Sequence, residues 1–269
     1  MIKDIAAQIR QKISGHTPQT AIILGSGLGS LGDAVCNPVY LEYKDIAGFP
    51  QSTVSGHQGR LIAGCLEGTE VLCLQGRFHL YEGHRPQVIN TVVKTLQELG
   101  IQRLIVTNAA GSLTPDFQPG TIMLIKDHIN LSGTNPLIGP NDDSYGPRFP
   151  DMSNAYTAAL RATMKKIAQE QKIPLAEGVY MMVTGPNFET AAEIRAFRIL
   201  GADAIGMSTV PEVICAAHSG MEVLGLSVLT NMGTGLRTGS QSHAETLAQG
   251  EKASADLQKL VKAFLKQEK

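Results

Sequence analysis

Several stretches of this chain place polar residues where a folded core gains nothing from them. Gln75-Gly76-Arg77-Phe78-His79-Leu80-Tyr81-Glu82-Gly83-His84 follows an apolar run. Residues 77, 79 and 81 alternate, so on extended chain they share one face. Arg, His and Tyr there read as a solvated edge or as a site, and Arg grips an oxyanion in a bidentate fork. Gly25-Ser26-Gly27-Leu28-Gly29 follows another apolar run. Glycines at such a point let the backbone approach an anion and aim N–H groups at it. Position 30 is Ser and not the Gly of a dinucleotide fingerprint, and no Gly-Lys-Ser/Thr follows as in a phosphate-binding Walker loop. That stretch reads equally as a tight turn or a phosphate loop.

Gly206-Met207-Ser208-Thr209 puts Ser208 at a helix start, where free N–H groups favour an anion. Gly185-Pro186-Asn187-Phe188-Glu189-Thr190 sets Glu189 just before a capping Thr. A carboxylate there complements the helix dipole or meets a ligand, and the dipole reading serves Glu193 equally well. Phe188 offers an apolar platform beside it. Thr230-Asn231-Met232-Gly233 ends a strand with an amide, a turn residue or a recognition group. His57 and His243 taken singly are ambiguous. The four cysteines show no CxxC spacing, and no Cys/His cluster reads as a zinc site. Cys65, Cys73 and Cys215 sit in apolar company and are expected to be buried reduced thiols.

The elements that must carry these residues are legible from periodicity. Ile2, Ile5, Ile9 and Ile13 predict an amphipathic helix. Ala21–Leu24 is a short apolar run. Leu61–Leu66 and Val71–Leu74 predict a strand pair across Glu67-Gly68-Thr69. Pro86 opens a helix to Leu99, stopped by Gly100. Strands are expected at Leu104–Thr107, Thr121–Ile125, Val179–Val183, Asp203–Met207 and Val223–Thr230, and a helix near Ser153–Gln171. Thr190 with Glu193, Thr209 with Glu212, and Ser242 with Glu245 predict capping boxes for three further helices. Residues 130–151 form a long loop rich in Pro, Gly, Asn and Asp, a composition and length usually kept for function. Strands alternating with helices predict an α/β fold, a single domain over 1–269 with a central mixed, largely parallel β-sheet flanked by helices. Ligands in such sheets sit beyond the carboxyl ends of the strands. The unusual residues gather at those ends.

Composition narrows the function classes. The 269 residues hold 23 Lys plus Arg and 24 Asp plus Glu, a net charge of −1, with 17% charged and 43% hydrophobic residues. Disorder is excluded by this apolar, weakly charged makeup. The basic excess that binds nucleic acid is missing. No run of about 18 apolar residues is present, and charge interrupts the first residues. A cytoplasmic protein with no membrane partner is expected.

Taken in order, the motifs Leu-Gly-Ser-Gly-Leu-Gly, Gly-Arg-Phe-His-Leu-Tyr-Glu-Gly, Thr-Asn-Ala-Ala-Gly, Lys-Asp-His-Ile-Asn, Gly-Pro-Asn-Phe-Glu-Thr, Gly-Met-Ser-Thr-Val-Pro-Glu and Thr-Asn-Met resemble those of the trimeric purine nucleoside phosphorylases of the 6-oxopurine type. The resemblance runs from about residue 20 to the C-terminus. It implies phosphorolysis of purine ribo- and deoxyribonucleosides, giving free base and pentose 1-phosphate. It further implies that Ser26, His57, Arg77, His79, the backbone at Ala109, and Ser208 bind phosphate. Phe188, Glu189 and Asn231 would hold the purine, and Tyr81, Met207 and His243 the ribose. Phe149 would be lent to a neighbouring subunit's site in a homotrimer, with a hexamer of two trimers left open. Asn231, Glu189, His79 and His243 would be catalytic. Inorganic phosphate is a co-substrate, and neither metal nor organic cofactor is expected. Asn231 argues for 6-oxopurines, since the family's methylthioadenosine-cleaving cousins carry Asp there. Many relatives have Lys next, where this chain has Met232, so residues 232–241 leave xanthosine open. The rival readings are a nucleoside hydrolase and a nucleotide-binding regulatory module.

Overall fold

The computed structural model of the chain describes residues 1–26, 28–54, 57–236 and 243–267, with side chains in the last stretch from residue 253. Its helices are α1 (Ile2–Lys12), α2 (Pro86–Glu98), α3 (Ala158–Gln171), α4 (Ala191–Ile199), α5 (Val210–His218) and α6 (His243–Gln267). Its strands are β1 (Thr20–Ile23), β2 (Cys36–Glu42), β3 (Arg60–Leu66), β4 (Thr69–Gln75), β5 (Arg103–Ser112), β6 (Ile122–Asn130), β7 (Leu175–Met182), β8 (Ala204–Gly206) and β9 (Glu222–Met232). They form one sheet in the order β2-β3-β4-β1-β5-β8-β7-β6-β9, and β5 also pairs with β9. That extra pairing closes the second half of the sheet on itself. The pairs β1–β4, β1–β5, β5–β9, β6–β7 and β7–β8 are parallel, and β2–β3, β3–β4, β5–β8 and β6–β9 are antiparallel. This is the expected mixed sheet, with the parallel pairs at its centre.

Burial on both faces explains the continuous apolar runs of the central strands. Ala21 and Ile23 of β1, with Leu104 and Val106 of β5, join the core under α1, α2 and α5. Ile22 and Ile105 point the other way, into the core under α3 and α6. A smaller cluster holds α4 against Leu113, Met181 and Ile205.

Local signals acted as expected at several ends. Glu67 and Gly68 take left-handed φ of 54° and 84°, which a two-residue hairpin turn requires, so Thr69 already belongs to β4. Gly100 takes φ 94° just after α2. Thr190 and Glu193 form the predicted capping box. Other boundaries moved. The helix expected from Ser153 starts at Ala158, because side chains capture the preceding backbone: Asp151 Oδ1 accepts from Ser153 N–H, and Asn154 Oδ1 from Ala158 N–H. Such short-range bonds compete with helix. The edge strand β2 was not anticipated; most of it is exposed, so it has no apolar alternation. Cys73 and Cys215 are buried, but Cys65 is half-buried, because it pairs across the sheet edge with exposed Cys36; all four are free thiols. Ser242 and Glu245 lie outside the described residues and side chains. Among the described residues, no helix is long and apolar enough to cross a membrane.

Candidate active site

The cleft opens where β1 stops and β5 continues. β1 ends at Ile23, opposite Val106, while β5 runs on to pair with β8 at Gly111 and Ser112. The chain leaving β1 must bend sharply against β5. A Cβ at Gly25 would lie 2.7 Å from both Asn108 Cα and Thr107 O, so only glycine fits. Gly25 N–H donates to Thr107 Oγ1 at 3.1 Å. This sets Ser26 on the rim of a cleft of about 320 Å³ lined also by Arg77, His79, Tyr81, Ala109, Phe188, Glu189, Met207, Ser208 and Asn231.

Arg77, His79 and Tyr81 reach the cleft by a route other than the predicted one. β4 ends at Gln75, and a one-turn 3-10 helix at Leu80–Glu82 follows instead of extended chain. The cause is Glu82. Its Oε1 accepts from His79 N–H at 2.8 Å and lies 3.0 Å from His79 Nδ1. Its Oε2 accepts from Thr53 N–H and Thr53 O–H, each at 2.7 Å. Burial alone would raise this carboxyl, but these bonds hold it down at about 2. A carboxylate only accepts, so Nδ1 of His79 carries the proton and Nε2 keeps its lone pair. Burial lowers the His79 pKa, and the ring stacks on Tyr81 at 4.6 Å.

His57 sits behind this wall and not in it. Arg77 N–H donates to His57 Nδ1 at 2.9 Å. That bond assigns the ring proton to Nε2, which donates to Ser26 Oγ at 3.2 Å. The Ser26 hydroxyl hydrogen is then free to point at a ligand. Burial, with the His79 and Arg77 charges, pushes His57 down to about 4, so the neutral ring is the working form.

Ser208 is set by a strained turn. Thr209 takes φ 76° and ψ −48°, and Val210 N–H donates to Ser208 O at 2.8 Å. This is a γ-turn of the rare strained hand. Its surroundings hold it: Asn108 Nδ2 donates to Thr209 Oγ1 at 2.8 Å, and the Ser208 and Thr209 hydroxyls lie 3.1 Å apart. The capping box predicted for Thr209 and Glu212 therefore does not form. Thr209 makes no side-chain cap, and Glu212 instead accepts from Arg77 Nε at 2.7 Å. Arg77 Nη1 donates to Thr107 O at 2.8 Å and to Ser208 Oγ at 3.2 Å.

A second group of side chains faces the same cleft. Glu189 precedes α4, and burial raises its pKa. Thr230 O–H donates to Asn231 Oδ1 at 2.9 Å, and Asn231 Nδ2 donates one hydrogen to Met232 O at 3.2 Å. Phe188 is 38% exposed beside them. Met207 packs on Gly185, where a side chain would have no room. Phe149 stands outside its own chain's cleft and is 88% exposed. The side chain of His243 and residues 237–242 lie outside the description. Among the described residues, no group of His, Cys, Asp and Glu is arranged to hold a metal.

Residues 19–266 match the family model described as the phosphorylase superfamily. The chain belongs to that superfamily. Within it, the chain is 50% identical over 266 residues to purine nucleoside phosphorylase 1 of Bacillus subtilis (strain 168), covering 99% of this chain and 98% of that one. It is 47% identical to the purine nucleoside phosphorylase of Bos taurus, with 92% and 88% covered. The crystal structure of Schistosoma mansoni purine nucleoside phosphorylase in complex with inosine superposes with a TM-score of 0.94 at 36% identity, over 98% of this chain and 95% of that one. The complex of the Schistosoma enzyme with adenosine gives 0.93 at 38%. The phosphorylase family read from the motifs is thus the right one, and so is the fold it implied. Four residues that build the cleft went unread in the sequence as site residues: Glu82, Asn108, Thr209 and Glu212. All four lie inside the motifs quoted for the resemblance, and Glu82 also stands three residues after His79.

Proposed function

We propose that the protein is an enzyme that cleaves the N-glycosidic bond of 6-oxopurine ribo- and deoxyribonucleosides with inorganic phosphate, yielding free base and pentose 1-phosphate. One observation carries this reading: a single cleft holds oxyanion donors in one group and a carboxylate–amide pair in another. The donors are the Arg77 guanidinium and the hydroxyls of Ser26 and Ser208, with Ala109 beside them. Phosphate is already an anion, so the protein supplies position and not a nucleophile. His79 Nε2 accepts from the O–H of the phosphate dianion. Bond breaking at C1′ builds an oxocarbenium-like sugar, and the leaving purine gains negative charge. Asn231 Nδ2, aimed at N7 and O6, stabilises that charge as it develops. Glu189 accepts from N1–H, and that bond offsets the burial that raises its pKa. Phe188 lies against the base, and Tyr81 and Met207 against the ribose.

The reading gives no metal or organic cofactor a role, so activity in EDTA should equal activity without it. It also takes the chain as a homotrimer in which Phe149 completes a neighbour's site, supported by the exposure of Phe149 and its position outside its own cleft. Initial rates on inosine and guanosine, with and without phosphate or arsenate, test the reaction. Cleavage only with the oxyanion is expected; equal turnover without it would make the enzyme a hydrolase.

A further inference from the structure

Arg77 is a buried cation with five N–H donors, and they are divided unevenly. Nε–H goes to Glu212, and the Nη1 hydrogens go to Thr107 O and Ser208 Oγ. Nη2 is buried and makes no hydrogen bond among the described residues. The anchored atoms fix the plane of the guanidinium, and Arg77 lines the cleft beside Ser208. Two of the three anchors come from one element. The γ-turn that opens α5 delivers Ser208, and the first turn of α5 delivers Glu212.

Stability alone does not explain Glu212. Its side chain is 5% exposed and that of Arg77 is 1%. A buried ion pair is often no more stabilising than well-packed apolar residues of the same volume. Moreover, Glu212 Oε2 is buried with no hydrogen bond among the described residues, in a crevice with Ile23, Leu74, Ile89 and Val92.

We propose that Glu212 is a positioning residue for the phosphate co-substrate. By accepting Nε–H it fixes the guanidinium in the wall of the cleft where the phosphate oxygens would meet it, and its reach to Nε is what performs the task. The inference rests on the phosphorolytic reading above, with Arg77 on phosphate.

Two substitutions separate reach from charge. Glu212→Gln keeps an acceptor oxygen at the same reach and loses the charge. Glu212→Asp keeps the charge and falls one methylene short. Phosphate and inosine KM and kcat are measured on the full chain, at temperatures where melting curves show each variant folded. Glu212→Gln is expected to hold the phosphate KM within about threefold of the parent. Glu212→Asp is expected to raise it about tenfold, the scale of one charge-assisted hydrogen bond, with the inosine KM within about threefold. Glu212→Ala has the same expected signature and serves if the Asp variant does not fold. In an Arg77→Ala background the Asp or Ala change should add nothing to the phosphate KM, since coupled residues are non-additive.

Impairment by Gln with none by Asp would show that charge acts and not reach, and would overturn the proposal. So would an equal rise in both KM values, or an additive effect in the Arg77→Ala background. The two readings fail separately. An unchanged phosphate KM in Arg77→Ala removes the phosphate assignment itself. An impaired Arg77→Ala beside an unimpaired Glu212→Asp removes only the role of Glu212.

Discussion

Single atoms decide the chemistry of this cleft, and single substitutions report on it. Arg77→Ala removes the charged donor that lines the cleft beside Ser208. Such a bond is worth roughly 1.5–3 kcal/mol, so the phosphate KM should rise by about one to two orders of magnitude with the nucleoside KM little changed. Asn231→Asp sets a carboxylate against N7 and O6 and repels the purine anion as it forms. We expect kcat for inosine to fall on the order of 10²-fold or more, with a small gain for adenosine, because Glu189 still lacks a donor at adenine N1. An inosine kcat/KM within a few-fold of the parent would remove Asn231 from the base. The neutral His57 also ties stability to pH. Its folded pKa of about 4 lies below the ordinary 6.5, so the unfolded chain binds the proton first. Its contribution is complete above pH 6.5 and is lost as pH falls toward 4, on the order of 3 kcal/mol. Glu82, held at about 2 against 4.5, has the same sign in a lower window, lost from pH 4.5 toward 2. Melting curves of the ligand-free protein should fall between pH 7 and pH 5, and less steeply in His57→Asn.

Elements matter here through their ends. The γ-turn before α5, the bend after β1 and the 3-10 turn after β4 each present site atoms, and each departs from regular structure to do so. Gly25→Ala would drive a methyl into the Thr107–Asn108 backbone. Overpacking of this kind costs about 1–3 kcal/mol, and the phosphate KM should rise with it because Ser26 follows directly. The cap of α4 offers the contrast. Thr190→Ala loses a capping box on an exposed helix end, about 1 kcal/mol, and should lower Tm without moving either KM. A phosphate KM that shifts in Thr190→Ala but not in Gly25→Ala would reverse this account of which ends serve the site.

At the scale of the whole molecule, Phe149 is the residue the single chain does not use. It is 88% exposed, and Leu131 and Ile138 on the same long loop are 45% and 60% exposed. The homotrimer proposed above would cover these groups. Sedimentation should give three times the 28.7 kDa chain mass, or six times for paired trimers. Phe149→Ala should raise the nucleoside KM about tenfold, on the scale of a lost aromatic contact, and leave the phosphate KM unchanged. A monomer with full activity would sink both claims.

How much of this was legible follows one division. Periodicity, caps and turns are local, so the sequence alone determined the α/β class, the hairpin at Glu67-Gly68, the end of α2 at Gly100 and the cap at Thr190. Its motifs determined the phosphorylase family and named Ser26, Arg77, His79, Glu189, Ser208 and Asn231, which line one cleft. The extra length of β5 was not legible, because its last residues pair with strands far along the chain. Neither was the role of Glu212. Three residues after Thr209, beside a helix start, it carries the local pattern of a cap. Only the packing of α5 against α2, β5 and β9 brings Arg77 to it, across 135 residues of chain. A carboxylate binds the strongest donor within reach, and which donor that is depends on tertiary structure: a buried guanidinium outcompetes a helix N-terminus that the strained Thr209 has already turned away.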